Sequence, residues 1–245
     1  MQKSLFENQN IVEALKPTLR ICSVSGSFSS ITYKQAVDFL LPRHYSGRKP
    51  SITFSFGYFE NNELKAVCTF GKPASNSLCI GVCGKEYSEK VFELNRLCVD
   101  GEIEIQLSKF VAWCLNELKA KDLILVSYAD TQMNHNGYIY QATNWIYTGM
   151  TRKENIYLNK QTGKILHPRT VVSLFGSRSK NSLPDYIQIL KEEKTKHRYF
   201  QFLGNKKEIK FMLENFKYCR LQYPKGNNIR YDTSYEVKKI GFFEE

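Results

Sequence analysis

Apolar positions along the chain change period several times, and each change marks an element. Residues 32–40, "TYKQAVDFL", place Tyr33, Ala36, Val37 and Leu40 at helical spacing, with Thr32 as cap. In "ITFSFGYFENNELKAVCTFG" (52–71) the period falls to two through Ile52, Phe54, Phe56 and Tyr58 and restarts after Asn61-Asn62, which predicts a hairpin with an asparagine turn. A polar connection leads to a strand, "KVFELNRLCVD" (90–100). "EIQLSKFVAWCLNELKA" then puts Leu107, Phe110, Val111, Cys114, Leu115 and Leu118 on one helical stripe. "DLILVSYAD" (122–130) is continuously apolar, as a strand covered on both faces would be.

A helix is predicted from about Gly137 to Tyr147, ended by Gly149. Residues 151–195 read as an irregular basic insertion, loosest at "GSRSKNSLP". "HRYFQFLG" predicts a strand, "NKKEIKFMLENF" a helix capped by Asn205, and "YCRLQYP" a last strand. The fold class is mixed α/β (α+β), with residues 1–30 as an N-terminal extension and 31–245 as a single domain. Sites in such sheets gather at the carboxyl ends of central strands, where "SYAD" falls.

Composition narrows the function classes. With 42% hydrophobic and 24% charged residues the chain is ordinary globular material. It has no apolar run of the roughly 20 residues a bilayer span needs, and its start lacks a signal-peptide pattern; a cytoplasmic protein is expected. Seven cysteines, at 22, 68, 79, 83, 98, 114 and 219, form no CxxC pair and predict reduced core thiols. A metal such as iron is compatible with the composition, but no zinc-type ligand spacing supports one. The net charge of +11 is lopsided: residues 1–150 hold 15 Lys+Arg against 14 Asp+Glu, while residues 151–245 hold 20 against 10. A one-sided positive field suits a polyanionic partner, although a merely solvated basic surface has the same composition.

The blocks "RHYSGR" (43–48), "ELNRLCVD" (93–100), "VSYAD…GYIYQATNWIYTG" (126–149) and "KHRYFQFLG" (196–204) resemble the Mom family of phage DNA adenine-modification proteins, within the GNAT acyltransferase fold. The resemblance implies a GNAT-like central mixed sheet, splayed and flanked by helices. It also implies an enzyme that gives adenine in DNA a carbamoylmethyl group on its exocyclic amine, which protects phage DNA from restriction. The implied partners are double-stranded DNA with a flipped adenine and a donor; the oligomeric state is open, a homodimer included. One departure concerns the donor. GNAT enzymes hold the coenzyme A pyrophosphate in a Gln/Arg-x-x-Gly-x-Gly/Ala turn, and here that junction reads "CVDGEIEIQLSKF", with Gly101 alone.

An enzyme acting on a paired, stacked adenine must extrude and stack the base and read its edge. Tyr128, Tyr138 and Trp145 offer ring faces, and Gln141 and Asn144 offer amides that match adenine. Asp130 is a candidate acceptor for the amine's proton or a turn carboxylate. His44 is a base, a donor or an ordinary packed histidine, and Tyr45 has the same double reading. Arg96, on an alternating strand, shares a face with Phe92, Leu94 and Cys98. Its enclosed guanidinium pairs with a carboxylate or stabilises an oxyanion. Ser108 faces the donor or solvent, and Tyr140 is a general acid or a stacking ring. Arg48, Lys49, Arg152, Lys153, Arg169, Arg178 and Lys180 are candidates for phosphate contacts.

The product also bears on the donor. A glycyl group on the amine has the same atoms as a carbamoylmethyl group, whereas an acetyl group lacks the nitrogen. Glycyl-tRNA is therefore the favoured donor and acetyl-CoA the alternative. Rival functions are a non-catalytic nucleic-acid-binding phage protein and a GNAT N-acetyltransferase acting on a protein or small-molecule amine.

Overall fold

The computed structural model describes residues 26–44, 48–131, 134–166 and 168–226. Its centre is a seven-stranded mixed sheet in the order β1-β2-β3-β4-β5-β10-β6. β1 (Gly26–Ser30), β2 (Phe54–Glu60), β3 (Glu63–Gly71) and β4 (Val91–Val99) pair antiparallel, each with the next. The turn between β2 and β3 is Asn61-Asn62, both left-handed at φ 50° and 65°, which asparagine tolerates best among residues with a Cβ. Because β1 pairs with β2, residues 26–30 belong to the sheet and not to an N-terminal extension.

β4 and β5 (Ile124–Asp130) are the one parallel pair among the described residues, joined by the crossover helix α3 (Leu107–Leu118). They pair only at Val91–Ile124, Phe92–Leu125 and Glu93–Val126; beyond those residues the two strands diverge. The sheet therefore splays at the carboxyl ends of its central strands. β10 (Lys196–Phe202) pairs antiparallel with β5 on one side and with β6 (Ile146–Met150) on the other.

α1 (Tyr33–Arg43) begins as predicted: Thr32 and Gln35 form a reciprocal capping box. It packs Ala36, Phe39 and Leu40 against Val67 and Cys98 on one face of the sheet. α2 (Asn76–Cys83), which the sequence hides in a polar connection, and α6 (Lys206–Glu214), capped by Asn205, cover Ile124, Val126 and Phe200 on that same face. α3 covers the other face, where Phe110, Val111 and Cys114 meet Phe70, Leu125 and Trp145.

Three predicted elements are corrected. The helix after β5 is short, α4 (Tyr138–Ala142): Asn144 turns left-handed at φ 59°, and the β-branched and aromatic run Ile146-Tyr147-Thr148 continues as β6. The insertion is not irregular. It folds as a second sheet, β8 (Lys164–Leu166), β7 (Glu154–Asn159) and β9 (Ile187–Lys194), with α5 (Pro168–Phe175) over it and a core of Tyr157, Val171 and Ile187. "YCRLQYP" is a strap and not a strand. Tyr218 packs on Phe200, Leu221 donates its N–H to the Tyr147 carbonyl at 2.9 Å, and Tyr223 donates to the Trp145 carbonyl at 2.7 Å, so the segment wraps the β6 edge. The described cysteines are free thiols, five of them buried, and no helix among the described residues is long and apolar enough to cross a membrane.

Candidate active site

The splay is held open by polar groups. Ser127 on β5 donates to the Leu94 carbonyl of β4 at 2.8 Å, where the ladder has ended, and its hydroxyl is hydrogen-bonded to that of Tyr140 at 2.7 Å. Tyr140 thereby reaches the gap between the strands from α4, although its ring lies in the core.

A β-bulge changes the expected position of Arg96. Thr69 opposes Arg96 and Phe70 opposes Leu94, which leaves Asn95 as the extra residue on β4. Asn95 fixes the bulge by accepting from Thr69 Oγ1 at 2.7 Å and donating to the Ser51 carbonyl at 2.6 Å. Alternation therefore restarts, and Arg96 shares the α1 face with Cys98 but not with Phe92 and Leu94, which face α3. An Arg43–Asp100 ion pair of 2.8 Å ties the end of α1 to the end of β4.

His44 follows at the α1 C-cap, 7% exposed, its N–H on the Leu40 carbonyl. Burial, the neighbouring Arg96 guanidinium and His135 together lower its pKa to about 3, so the imidazole is neutral at physiological pH. Asp130 ends β5 opposite Lys196, whose ammonium lies 3.8 Å from the carboxylate. Past it the chain folds back: Asn134 N–H bonds the Thr131 carbonyl and His135 N–H the Asp130 carbonyl. Burial lowers the His135 pKa while Asp130 acts to raise it. At the mouth of the splay Arg96 and His135 thus each act on His44, and Asp130 acts on His135. His135 was not singled out from the sequence; its place in the loop directly after the strand-end carboxylate is the signal that could have found it. Tyr45 lies outside the described residues.

Most of the polar aromatics after β5 are structural. Trp145 is fully buried, ring against Tyr140 at 5.2 Å, and cannot stack on a base. The Tyr199 ring lies tilted between those of Tyr140, at 5.2 Å, and Tyr147, at 5.1 Å. The hydroxyls of Tyr140, Tyr147 and Tyr199 meet Ser127, His197 and the Asn136 carbonyl, which is how a buried tyrosine is tolerated. The Gln141 amide is already engaged with the Asn136 carbonyl at 3.0 Å, the Tyr199 hydroxyl and the Pro224 carbonyl, so it holds the loop and the strap together rather than awaiting a base. Asn144 is an exposed left-handed helix terminator. Tyr138, 61% exposed, is the ring in this stretch with a free face. Tyr128 lies half-buried on the α2 side, across the ladder from Arg198, and burial followed by Glu93 pushes its hydroxyl pKa up.

Ser108 occupies the first turn of α3, across the sheet from His44. Gln106 gives that helix no side-chain cap, and the loop before it is acidic. The Glu104 N–H, one of the amides beside the helix start, is taken by Glu60 Oε1 at 2.7 Å. Arg48, Lys49, Arg152, Lys153, Arg178 and Lys180 are exposed, and Arg169 belongs to α5. Topology puts the second sheet at the site's end of the molecule. β6 ends and β10 begins there, where Thr151 N–H bonds the Lys196 carbonyl beside Asp130.

The model of the Mom protein family matches residues 26–225. The chain belongs to the Mom family. Three similar solved structures are remote from this Mom chain. An N-acetyltransferase from Staphylococcus aureus Mu50 is 12% identical over 72% of this chain and 98% of its own, with a TM-score of 0.42. A GNAT family acetyltransferase from Elizabethkingia anophelis, with acetyl-CoA bound, is 12% identical over 73% and 99%, at 0.43. The ribosomal-protein-S18-alanine N-acetyltransferase from Escherichia coli is 9% identical over 74% and 95%, also at 0.43. No curated protein matches the chain.

Proposed function

We propose that this Mom-family protein is a transferase that modifies the exocyclic amine of adenine in DNA, giving N6-carbamoylmethyladenine and so shielding phage DNA from restriction. The observation that carries the reading is the chain of neighbours Arg96, His44, His135 and Asp130 at the mouth of the splay, inside the matched residues. The adenine amine is a weak nucleophile because its lone pair is delocalised into the ring. It needs a proton acceptor and a stabilised oxyanion as it attacks a carbonyl. A neutral imidazole backed by Asp130 supplies the first, and the Arg96 guanidinium supplies the second. The Tyr140 hydroxyl, held in the gap by Ser127, is a hydrogen-bonding partner for the leaving group. The exposed Tyr138 ring is the best-placed stacking surface for a flipped base, with the exposed cations of β7–β9 on the duplex backbone.

The donor we favour is an activated glycine, as glycyl-tRNA. Attack by the amine on the glycyl ester forms the C–N bond and releases the ribose hydroxyl. The glycine amine then attacks the ring carbon through a five-membered spiro intermediate, and the original nitrogen leaves as the primary amide. The acidic loop before α3, with Glu60 occupying the Glu104 amide, speaks against a coenzyme A pyrophosphate there. Isotopic glycine supplied to cells expressing the protein tests this: label in the modified adenine is the expected result. Label arriving from acetate instead, as N-acetyladenine, would make acetyl-CoA the donor. Unmodified DNA, with charge reversals in β7–β9 abolishing DNA binding, would leave a non-catalytic binder.

A further inference from the structure

Two histidines stand at the mouth of the splay, and their surroundings divide the work between them. His44 is packed at the end of α1, 7% exposed, within the field of the Arg96 guanidinium of β4. A positive neighbour and burial both oppose a second proton on that ring, so it makes a poor proton acceptor whatever its distance from the amine. His135 is half-buried, carried on the stretch Asn134–Gly137 that follows the end of β5 at Asp130.

That stretch is fixed from both ends. On the site side the Asn134 N–H bonds the Thr131 carbonyl at 3.0 Å and the His135 N–H bonds the Asp130 carbonyl at 3.1 Å, with Asn134 left-handed at φ 52°. On the core side the Asn136 carbonyl accepts from both Tyr199 and Gln141. Gly137, at φ 74°, lies where a Cβ would sit 2.4 Å from the Tyr199 ring. A loop pinned this way holds its side chain as a strand would, which is what a reacting group requires. Asp130 of β5 and His44 of α1 are the titratable neighbours of His135, with Lys196 of β10 paired to Asp130 and Arg96 of β4 acting on His44.

We propose that His135, and not His44, takes the proton released by the acceptor amine, with Asp130 stabilising the imidazolium. This rests on the function proposed above and assigns a residue to it. As the amine nitrogen bonds to the donor carbonyl carbon, its proton passes to His135. When the ester C–O bond breaks, the same proton goes on to the leaving oxygen, so the site returns to its starting state. Neutral His44 keeps the role of a hydrogen-bonding partner beside Arg96.

Two measurements on the full chain decide it. In cells expressing the protein, His135→Gln lowers the yield of modified adenine by about 100-fold, the usual weight of a general base, at unchanged protein level and melting temperature. NMR titration of the purified protein's imidazoles gives a lower midpoint for His135 in Asp130→Asn than in wild type, a result that loop structure alone does not produce. A yield within threefold of wild type in His135→Gln, or a midpoint that Asp130→Asn leaves in place, would overturn the assignment. If wild-type cells held only ordinary adenine, the proposed function would fail, while the titration would still decide the Asp130–His135 pairing.

Discussion

Replacing His44 by Gln removes a group that the folded chain keeps uncharged, and the consequence is readable as acid stability. The unfolded imidazole titrates at 6.5 and the folded one at about 3. The unfolded state therefore binds more protons between those values, and stability rises with pH there. His44's contribution is complete above pH 6.5 and is lost as pH falls toward 3. Fully developed, the loss is roughly 5 kcal/mol at about 1.4 kcal/mol per tenfold step, and a little over half of it has gone by pH 4.5. His44 is almost fully buried, so solvent screening takes little from that figure. Urea unfolding at pH 7.5 and pH 4.5, wild type against His44→Gln, isolates the contribution, since His135 and His197 remain in both proteins. Wild type should lose about 2–3 kcal/mol more than the variant between the two conditions. Equal losses in the two proteins would mean that His44 is not held neutral beside Arg96, and the site as described would be wrong.

Other outcomes follow from the same geometry. Trp145→Ala should cost about 3–5 kcal/mol, the range for an aromatic core truncation. Trp145→Phe should cost far less, because the buried indole N–H has no hydrogen-bond partner among the described residues and its loss is no penalty; urea midpoints compare the two. Asn144→Gly, at an exposed left-handed residue, should keep full modification activity and gain up to about 1 kcal/mol; lost activity would restore Asn144 as a base contact. Reversing Arg152, Lys153, Arg178 and Lys180 to Glu should flatten the salt dependence of duplex binding by about 0.9 in log–log slope for each phosphate contact removed.

Much of this fold was legible in the chain because its periodicities are local. The Thr32 capping box, the Asn61-Asn62 turn, the α3 stripe and the apolar β5 run each announce themselves within a few residues. What was not legible depends on partners distant in sequence. The bulge at Asn95 moves Arg96 to the other face, and it exists because Ser51 and Thr69 hold the extra residue. Tyr140, Gln141 and Trp145 look like a base-reading set because tyrosine tips and amides are polar. Only the fold shows Ser127, Asn136 and Pro224 already taking those tips, with Trp145 sealed in the core. The second sheet was missed because its strands are interrupted by loops rich in glycine, serine and lysine, so its small core of Tyr157, Val171 and Ile187 is spread over 31 positions.

The measurement that bears most directly on the central claim is mass spectrometry of nucleosides from the DNA of cells expressing the full chain, wild type beside Asp130→Ala. A deoxyadenosine carrying the added mass of a carbamoylmethyl group should be present with wild type and absent with the variant. Ordinary deoxyadenosine alone in both, with both proteins folded and expressed, would contradict it.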